Sequence, residues 1–354
     1  MPLTMDRGRI PTLWEERKSS SPVRSVGNHG VRPECIKIAF VNNMPDAALE
    51  DTELQFFELL EAAAGDLAVH ISLYSLPELP RGDRGQKHLN SFYFDVDDLL
   101  NNCFDGAIIT GTDPRRPALR DEPYWPRLVD VLDWAEHNTV STILSCLAAH
   151  AGVLYSDGIE RIRLSEKQFG VFDHEKLCDH ALTSDSPNPA RAPHSRWNDL
   201  QEEALTDSGY VVLTKSAAAG VDMFVKEKKK SLFVHFQGHP EYGAESLLKE
   251  YRRDIKRFLR REIERYPSMP QGYFGAEAAK VLADFEETAQ SDTREKLLAA
   301  FPQSFVLGTF QNTWRSSATG VYRNWLQCVA LRKANGATLH RKHPSGNELR
   351  TKQP

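Results

Sequence analysis

The stretch Val140-Ser141-Thr142-Ile143-Leu144-Ser145-Cys146-Leu147-Ala148-Ala149-His150-Ala151-Gly152 decides the fold. An apolar, β-prone run closes on Cys146, and the small residues after it suit a helix packed closely on a sheet. The pattern predicts a buried strand, one residue at a tight corner, and a helix. A thiol at such a corner stands at the helix N-terminus, whose partial positive charge favours thiolate. About ninety residues on, 231–241 reads as a second strand ending at His239, with Glu241 two residues later. A free cysteine after an apolar strand is commonly a small core residue, and His-Pro also ends ordinary strands. The two corners in this order and spacing predict a cysteine-nucleophile enzyme. Its catalytic set is Cys146 as nucleophile, His239 as base and Glu241 as orienting acid.

Working outward, 36–42 reads as a strand, and 51–64 as a helix carrying Leu54, Phe57, Leu60 and Ala64 at helical spacing. Strands follow at 69–74 and 104–110, the latter ending at Gly111-Thr112, before an amphipathic helix over 125–137 leads into the Cys146 strand. Such alternation predicts an α/β fold with a doubly wound, mostly parallel sheet. Residues 160–200 read as loop-rich, and 211–215, 222–226 and 232–236 as short strands at hairpin-like intervals. Lys226–Lys230 reads as a solvated turn. A long charged helix is expected over 243–265, a helical pair over 276–300 and a last amphipathic helix over 322–333. The organisation expected is a flexible N-terminal arm (1–33), one domain (34–333) with helical C-terminal additions, and a disordered tail (334–354). The last helix, with Trp325 and Leu326, is a candidate homodimer surface, although a core role suits its apolar positions better.

The composition is that of an ordinary globular protein, with 40% hydrophobic and 26% charged residues among 354. A net charge of −5 gives no reason to expect a nucleic-acid or anionic-membrane partner. No apolar run approaches the roughly twenty residues a membrane helix takes, and the N-terminal segment carries no secretory apolar stretch. The five cysteines, Cys35, Cys103, Cys146, Cys178 and Cys328, are odd in number and scattered, which argues against a disulfide framework. A cytoplasmic location suits a working thiol. His174, Cys178 and His180 cluster in sequence, but no second ligand pair sits at metal spacing, so no metal is expected.

A series of segments resembles the homoserine O-succinyltransferase family, which has a class I glutamine amidotransferase-like, flavodoxin-like fold. They are Asn43-Met44-Pro45 with 51–56, 88–93, Phe104-Asp105-Gly106 with Thr110-Gly111, and Tyr124-Trp125-Pro126. After Cys146 come Glu166-Lys167 with Gly170-Val171, then 192–196. The series ends with Gly238-His239-Pro240-Glu241-Tyr242, Arg253-Asp254, Trp314-Arg315-Ser316 and Asn324-Trp325-Leu326. The resemblance covers about 35–333. Amidotransferases proper usually carry glycines around the cysteine, where this chain has Ser145, Leu147 and Ala148.

The resemblance implies acyl transfer from acyl-CoA to homoserine in methionine biosynthesis, by a ping-pong route through a Cys146 thioester. Acyl-CoA is then a co-substrate, no cofactor is tightly bound, and succinyl-CoA is the expected donor with acetyl-CoA the alternative. Lys167, Ser195 and Arg253 match positions that hold the amino-acid acceptor. The chemistry also needs oxyanion donors, for which the backbone amides of Leu147 and Thr112 are placed at adjacent strand ends. The chain departs from the family pattern in four places. Asp46-Ala47-Ala48 stand where a lysine is usual, and Arg115 stands at a position that bears on the choice of acyl-CoA. Leu147 replaces a bulkier aromatic residue, and 276–305 is longer. Arg115 is therefore the candidate for acyl-CoA selectivity. Two other readings stay open, amide hydrolysis on the same thiol and a binding module without catalysis.

Overall fold

The computed structural model describes residues 2–19, 35–291, 295–307 and 312–341. Its strands are β1 (Leu3–Met5), β2 (Ile36–Val41), β3 (Val69–Tyr74), β4 (Gly106–Ile109), β5 (Ser141–Ser145), β6 (Ile162–Lys176), β7 (Ala190–Asp199), β8 (Val211–Ser216), β9 (Gly220–Lys228) and β10 (Ser231–Phe236). They form one sheet in the order β1-β3-β2-β4-β5-β10-β9-β8-β6-β7. The first six in that order are parallel and the last four are antiparallel additions. The helices are α1 (Thr12–Ser19), α2 (Asp46–Ala64), α3 (Asp83–Phe92), α4 (Val96–Leu100), α5 (Trp125–Asn138), α6 (Leu147–Asp157), α7 (Glu202–Asp207), α8 (Ser246–Leu259), α9 (Ala276–Ser291), α10 (Gln303–Leu307) and α11 (Arg315–Arg341).

The central parallel strands are buried almost throughout because helices cover both faces of the sheet. Successive side chains alternate between those faces. Phe40, Ile108 and Ile143 point into a layer with Phe56 and Phe57 of α2 and Tyr322 and Trp325 of α11. Val41, Ile109 and Leu144 point into the opposite layer with Leu132 of α5 and Ala148 of α6. The Trp325 indole N–H donates to Ser141 Oγ at 2.9 Å, and Trp325 and Leu326 are both buried in the core. Among the described residues no helix is long and apolar enough to cross a membrane.

Several expectations need correction. The N-terminal segment is not a loose arm as far as residue 19. β1 pairs in parallel with β3, and Trp14 packs edge-on against Phe57 with ring centroids 5.6 Å apart. A few apolar residues in a polar segment suffice to dock it. Residues 20–34 lie outside the described residues. The 160–200 region is not loop-rich but an antiparallel pair, β6 and β7. Its alternation is broken by a register shift between Arg163 and Gln168, and Pro193 counts against a strand. Pro193 is tolerated because β7 is the sheet edge. The helix expected over 243–265 ends at Leu259, and α11 runs past the expected tail boundary to Arg341. Residues 342–354 lie outside the described residues. The long 276–305 segment contains α9, a 3₁₀ turn over Glu295–Ala300 and the start of α10.

Two histidines are buried beside the parallel sheet. His235 stacks on Phe224, with ring centroids 4.6 Å apart, and His150 bonds to Gln237 at 2.9 Å. Burial above all lowers each pKa to about 3, with Arg196 and Arg161 adding to the effect at His150. Between about pH 3 and pH 6.5 both rings are therefore neutral in the fold and protonate once the chain unfolds. A depressed pKa stabilises the fold above the unfolded value and loses that contribution as pH falls toward the folded one. Urea titrations should show stability falling from about pH 6.5 toward pH 3, with each histidine costing on the order of 2 kcal/mol at pH 5 relative to pH 8. The loss at pH 5 should shrink in His235→Phe.

Candidate active site

Cys146 sits between β5 and α6 with φ 51° and ψ −112°, a conformation that side-chain-bearing residues rarely adopt. Two sets of hydrogen bonds hold it there. Its N–H donates to Phe236 O of β10 at 2.8 Å, and its carbonyl accepts from Ala149 N at 3.0 Å and His150 N at 3.3 Å. The strand pairing and the first helical turn thus fix the corner from both sides and leave the thiol half-buried. As the first helical residue, Leu147 has an amide with no carbonyl inside its own helix to bond. Gly111, at the end of the neighbouring strand β4, lies directly over it. A Cβ on Gly111 would stand 2.9 Å from Leu147 N and 2.6 Å from Leu147 Cβ. Glycine therefore keeps open the space above the Leu147 amide. Gly111, Thr112 and Leu147 line one small cleft with Asn43, Thr110 and Tyr124.

β10 is parallel to β5, so the chain beyond it emerges beside Cys146. His239 Nδ1 bonds Glu241 Oε1 at 2.7 Å, which turns Nε2 toward the thiol. Burial opposes the charged ring, yet Cys146 and Glu241 outweigh it and carry the His239 pKa well above its usual range. The site favours an imidazolium beside the sulfur. Gly238 permits this turn. A Cβ there would meet Asp222 Oδ1 at 2.6 Å, His194 Nε2 at 2.9 Å and Pro193 O at 2.9 Å. The same groups hold the loop, because Gly238 N–H donates to Asp222 Oδ1 at 3.0 Å and His239 N–H to Pro193 O at 2.8 Å.

Lys167, Ser195 and Arg253 come together around Glu250, a residue that the sequence reading did not single out. Lys167 Nζ lies 3.2 Å from Glu250 Oε2 and 3.3 Å from Asp254 Oδ2. Ser195 Oγ donates to Glu250 Oε2 at 2.6 Å, and Arg253 pairs with Asp254 at 2.9 Å and Glu250 at 3.5 Å. Burial alone would raise the Glu250 pKa, but Lys167, Ser195, Tyr242 and Arg253 lower it, so it is a carboxylate. Tyr242 links this cluster to the base. Its hydroxyl donates to Glu250 Oε1 at 2.6 Å, and its ring stacks on His239 with centroids 4.2 Å apart. The signal for Glu250 was spacing: Glu250 and Asp254 stand at i and i+4 beside the buried Leu247, Tyr251 and Ile255. Acids bordering an apolar helical stripe face protein, not water.

Arg115 is placed differently. Its backbone N–H and that of Arg116 both donate to Glu122 Oε1, at 2.5 Å and 2.6 Å, while its side chain is exposed. Nor do the three residues weighed for a metal assemble. His180 caps a 3₁₀ turn through Leu182 N, and Cys178 bonds Val212 O. His174 instead meets His194 and Asp222, whose ligand-type atoms lie within 4.8 Å of one another. The hydrogen bonds assign the protons there. Arg196 Nε donates to His194 Nδ1, so His194 Nε2–H donates to His174 Nε2 at 3.0 Å, and His174 Nδ1–H donates to Phe172 O. Each ring nitrogen is already engaged within the protein, and the trio braces the loop of His239.

The chain is 44% identical over 312 residues to a homoserine O-succinyltransferase of Rhodopseudomonas palustris, spanning 86% of this chain and 93% of that one. It is 46% identical over 296 residues to one of Bradyrhizobium japonicum, spanning 83% and 90%. Among solved structures, a glutamine amido transferase from Methylobacillus flagellatus superposes with a TM-score of 0.46 at 13% identity, over 84% of this chain and 96% of that one. The model of the homoserine O-succinyltransferase family matches residues 22–335. With relatives this similar along most of their length, the chain belongs to the homoserine O-succinyltransferase family.

Proposed function

We propose that the protein transfers a succinyl group from succinyl-CoA to L-homoserine, by way of a thioester on Cys146. The observation that carries this reading is the joining of two sites by one residue. Tyr242 stacks on the base that serves the thiol and bonds the carboxylate at the centre of the Lys167–Ser195–Arg253 cluster. A nucleophile is thus coupled to a charged cluster of the kind an amino acid needs.

In the first half-reaction the Cys146 thiolate attacks the thioester carbonyl. A carbon–sulfur bond forms to Cys146, the bond to CoA breaks, and the CoA thiolate takes the proton held on His239. In the second, the acceptor hydroxyl gives its proton to His239 Nε2 as its oxygen attacks the acyl carbon. The Cys146 thiolate leaves and the imidazolium is restored. Glu241 stabilises that imidazolium in both halves. The amides of Leu147 and Thr112 are the donors proposed for the tetrahedral oxyanion. Lys167 and Arg253 suit the acceptor α-carboxylate, and Glu250 suits its α-ammonium.

Incubating the protein with succinyl-CoA and no acceptor should release free CoA once per site and leave a succinyl adduct on Cys146, read by peptide mass spectrometry. Cys146→Ala should abolish both the adduct and turnover while the fold persists. An alanine variant that keeps substantial transfer would sink the mechanism, and ammonia release from glutamine would favour amide hydrolysis.

Arg253 and Arg252 separate acceptor binding from general helix charge. The Arg252 guanidinium lies over the Phe301 ring, away from the cluster, whereas Arg253 faces Glu250 and Asp254. Arg253→Lys keeps the charge and loses the planar fork. It should cost about 1.5–3 kcal/mol, roughly ten- to a hundred-and-fifty-fold in kcat/KM for homoserine. CoA release in the first half-reaction should hardly change, and Arg252→Lys should be mild in both. Equal, small effects at the two positions would place the acceptor elsewhere.

A further inference from the structure

Tyr124 lines the cleft beside Cys146, and near it stand polar groups that the transfer reaction as described does not use. Tyr124, at the entrance to α5, is 4% exposed, and its hydroxyl is buried with no hydrogen-bond partner. Arg161, the residue before β6, has a buried Nη1 that is also without a partner. Its electrostatic neighbours are Tyr124, Arg163, Cys146 and Glu122, and it acts on His150, one turn into α6. The guanidinium therefore lies in the neighbourhood of the nucleophile and of Tyr124. Glu122 is the buried acid within reach. Its Oε1 accepts from the amides of Arg115 and Arg116, and its Oε2 is buried without a partner, so it balances Arg161 by charge and not by a hydrogen bond. The exposed Asp113 acts on Tyr124 and on Arg253. Leu76, Leu128, Leu147 and Ala148 give the cleft that Tyr124 lines a mainly apolar wall.

Unpaired buried donors are costly, about 1–3 kcal/mol each and more for a charged group. Where such donors stand beside a reactive residue, a ligand is one way to complete them. An acetyl group on Cys146 would leave both donors empty. A succinyl group carries methylenes along the apolar wall and presents a carboxylate beyond them. We propose that the Tyr124 hydroxyl and the Arg161 guanidinium receive the free carboxylate of the succinyl group on Cys146, and so select a dicarboxylic acyl donor over acetyl. This rests on the acyl-transfer reading above and moves donor choice from the exposed Arg115 to the wall of the nucleophile cleft.

The test measures kcat/KM for succinyl-CoA and for acetyl-CoA at saturating homoserine, using the full chain and its Arg161→Gln and Tyr124→Phe variants. The readout is the ratio of the two values, which is insensitive to a general loss of active protein. In Arg161→Gln the succinyl-to-acetyl ratio should fall roughly tenfold to a hundredfold, the worth of one charge-assisted hydrogen bond. Tyr124→Phe removes a single oxygen and should lower the ratio severalfold, and it decides the matter if Arg161→Gln does not fold. A wild-type preference for succinyl-CoA with an unchanged ratio in the variants overturns this inference alone. So does a ratio that collapses in Arg115→Gln but not in Arg161→Gln. A wild-type enzyme that uses acetyl-CoA and not succinyl-CoA overturns both this inference and the donor proposed above.

Discussion

The site depends on holding one non-glycine residue, Cys146, at a positive φ. Such a conformation costs on the order of 1–3 kcal/mol and persists only where its surroundings over-determine it. Here they do so in a specific way. The Cys146 N–H completes the β5–β10 pairing, while its carbonyl receives the first-turn amides of α6. One residue is at once the last link of a strand ladder and the cap of a helix. Relaxing φ would break one set of bonds or the other. The conformation aims the side chain away from the sheet and toward the loop after β10. The same parallel pairing that strains the nucleophile therefore delivers the base, since His239 follows three residues after the last strand residue, Phe236.

The base is positioned less by strain than by buried polar scaffolding. Asp222 on β9 receives the Gly238 amide with one oxygen and Thr214 Oγ with the other, and Pro193 on β7 receives the His239 amide. The antiparallel half of the sheet, which contributes no residue of the catalytic set, thus acts as the bracket for the loop. Its cost is a group of buried histidines that must stay neutral. Burial, with His174, Arg196 and His239 nearby, holds the His194 pKa well below its usual range. A proton on His194 would place a cation against Arg196 and leave no acceptor for the Arg196 Nε–H. Such a network is favourable only when every member is satisfied, and here each ring nitrogen of the pair has a partner.

Apart from β1, the parallel half of the fold and the corners at Cys146 and His239 were legible in the sequence because the strands there are short, largely apolar segments, with distinctive residues at the two corners. The β6–β7 pair was not, because a bulge breaks its alternation and an edge strand admits proline. β1 was missed for a related reason, since three residues at a sheet edge carry too little periodicity to register. Around the site, Lys167, Ser195 and Arg253 were named through family resemblance, and residue chemistry alone would have left them as surface charges. What gathers them is Glu250, whose meaning lies in its place beside the buried stripe of α8. Tyr242 is adjacent in sequence to Glu241, yet its role is a stacking contact that no spacing rule reveals.

The departure at Asp46 shows how the charge lost from one loop returns from another. Where the family resemblance leads one to expect a lysine, Asp46 opens α2, a favourable place for an acid at a helix N-terminus. It accepts the Gly82 amide at 2.7 Å and pairs with Arg81 at 3.2 Å, and Arg81 also donates to Met44 O and Ser75 Oγ. A cation thus still stands at the corner after β2, but it arrives from the loop after β3 and is bound on several sides. The fit is tight, since a Cβ on Gly85 would fall 2.1 Å from an Asp46 oxygen. The two terminal nitrogens of the Arg81 guanidinium are taken up by the loop itself, and its Nε is buried without a partner. The corner after β2 is thus closed by side chains of the protein itself, whereas the buried, unpaired N–H of Arg161 has Cys146 among its electrostatic neighbours, and it is there that we place recognition of an anionic acyl group.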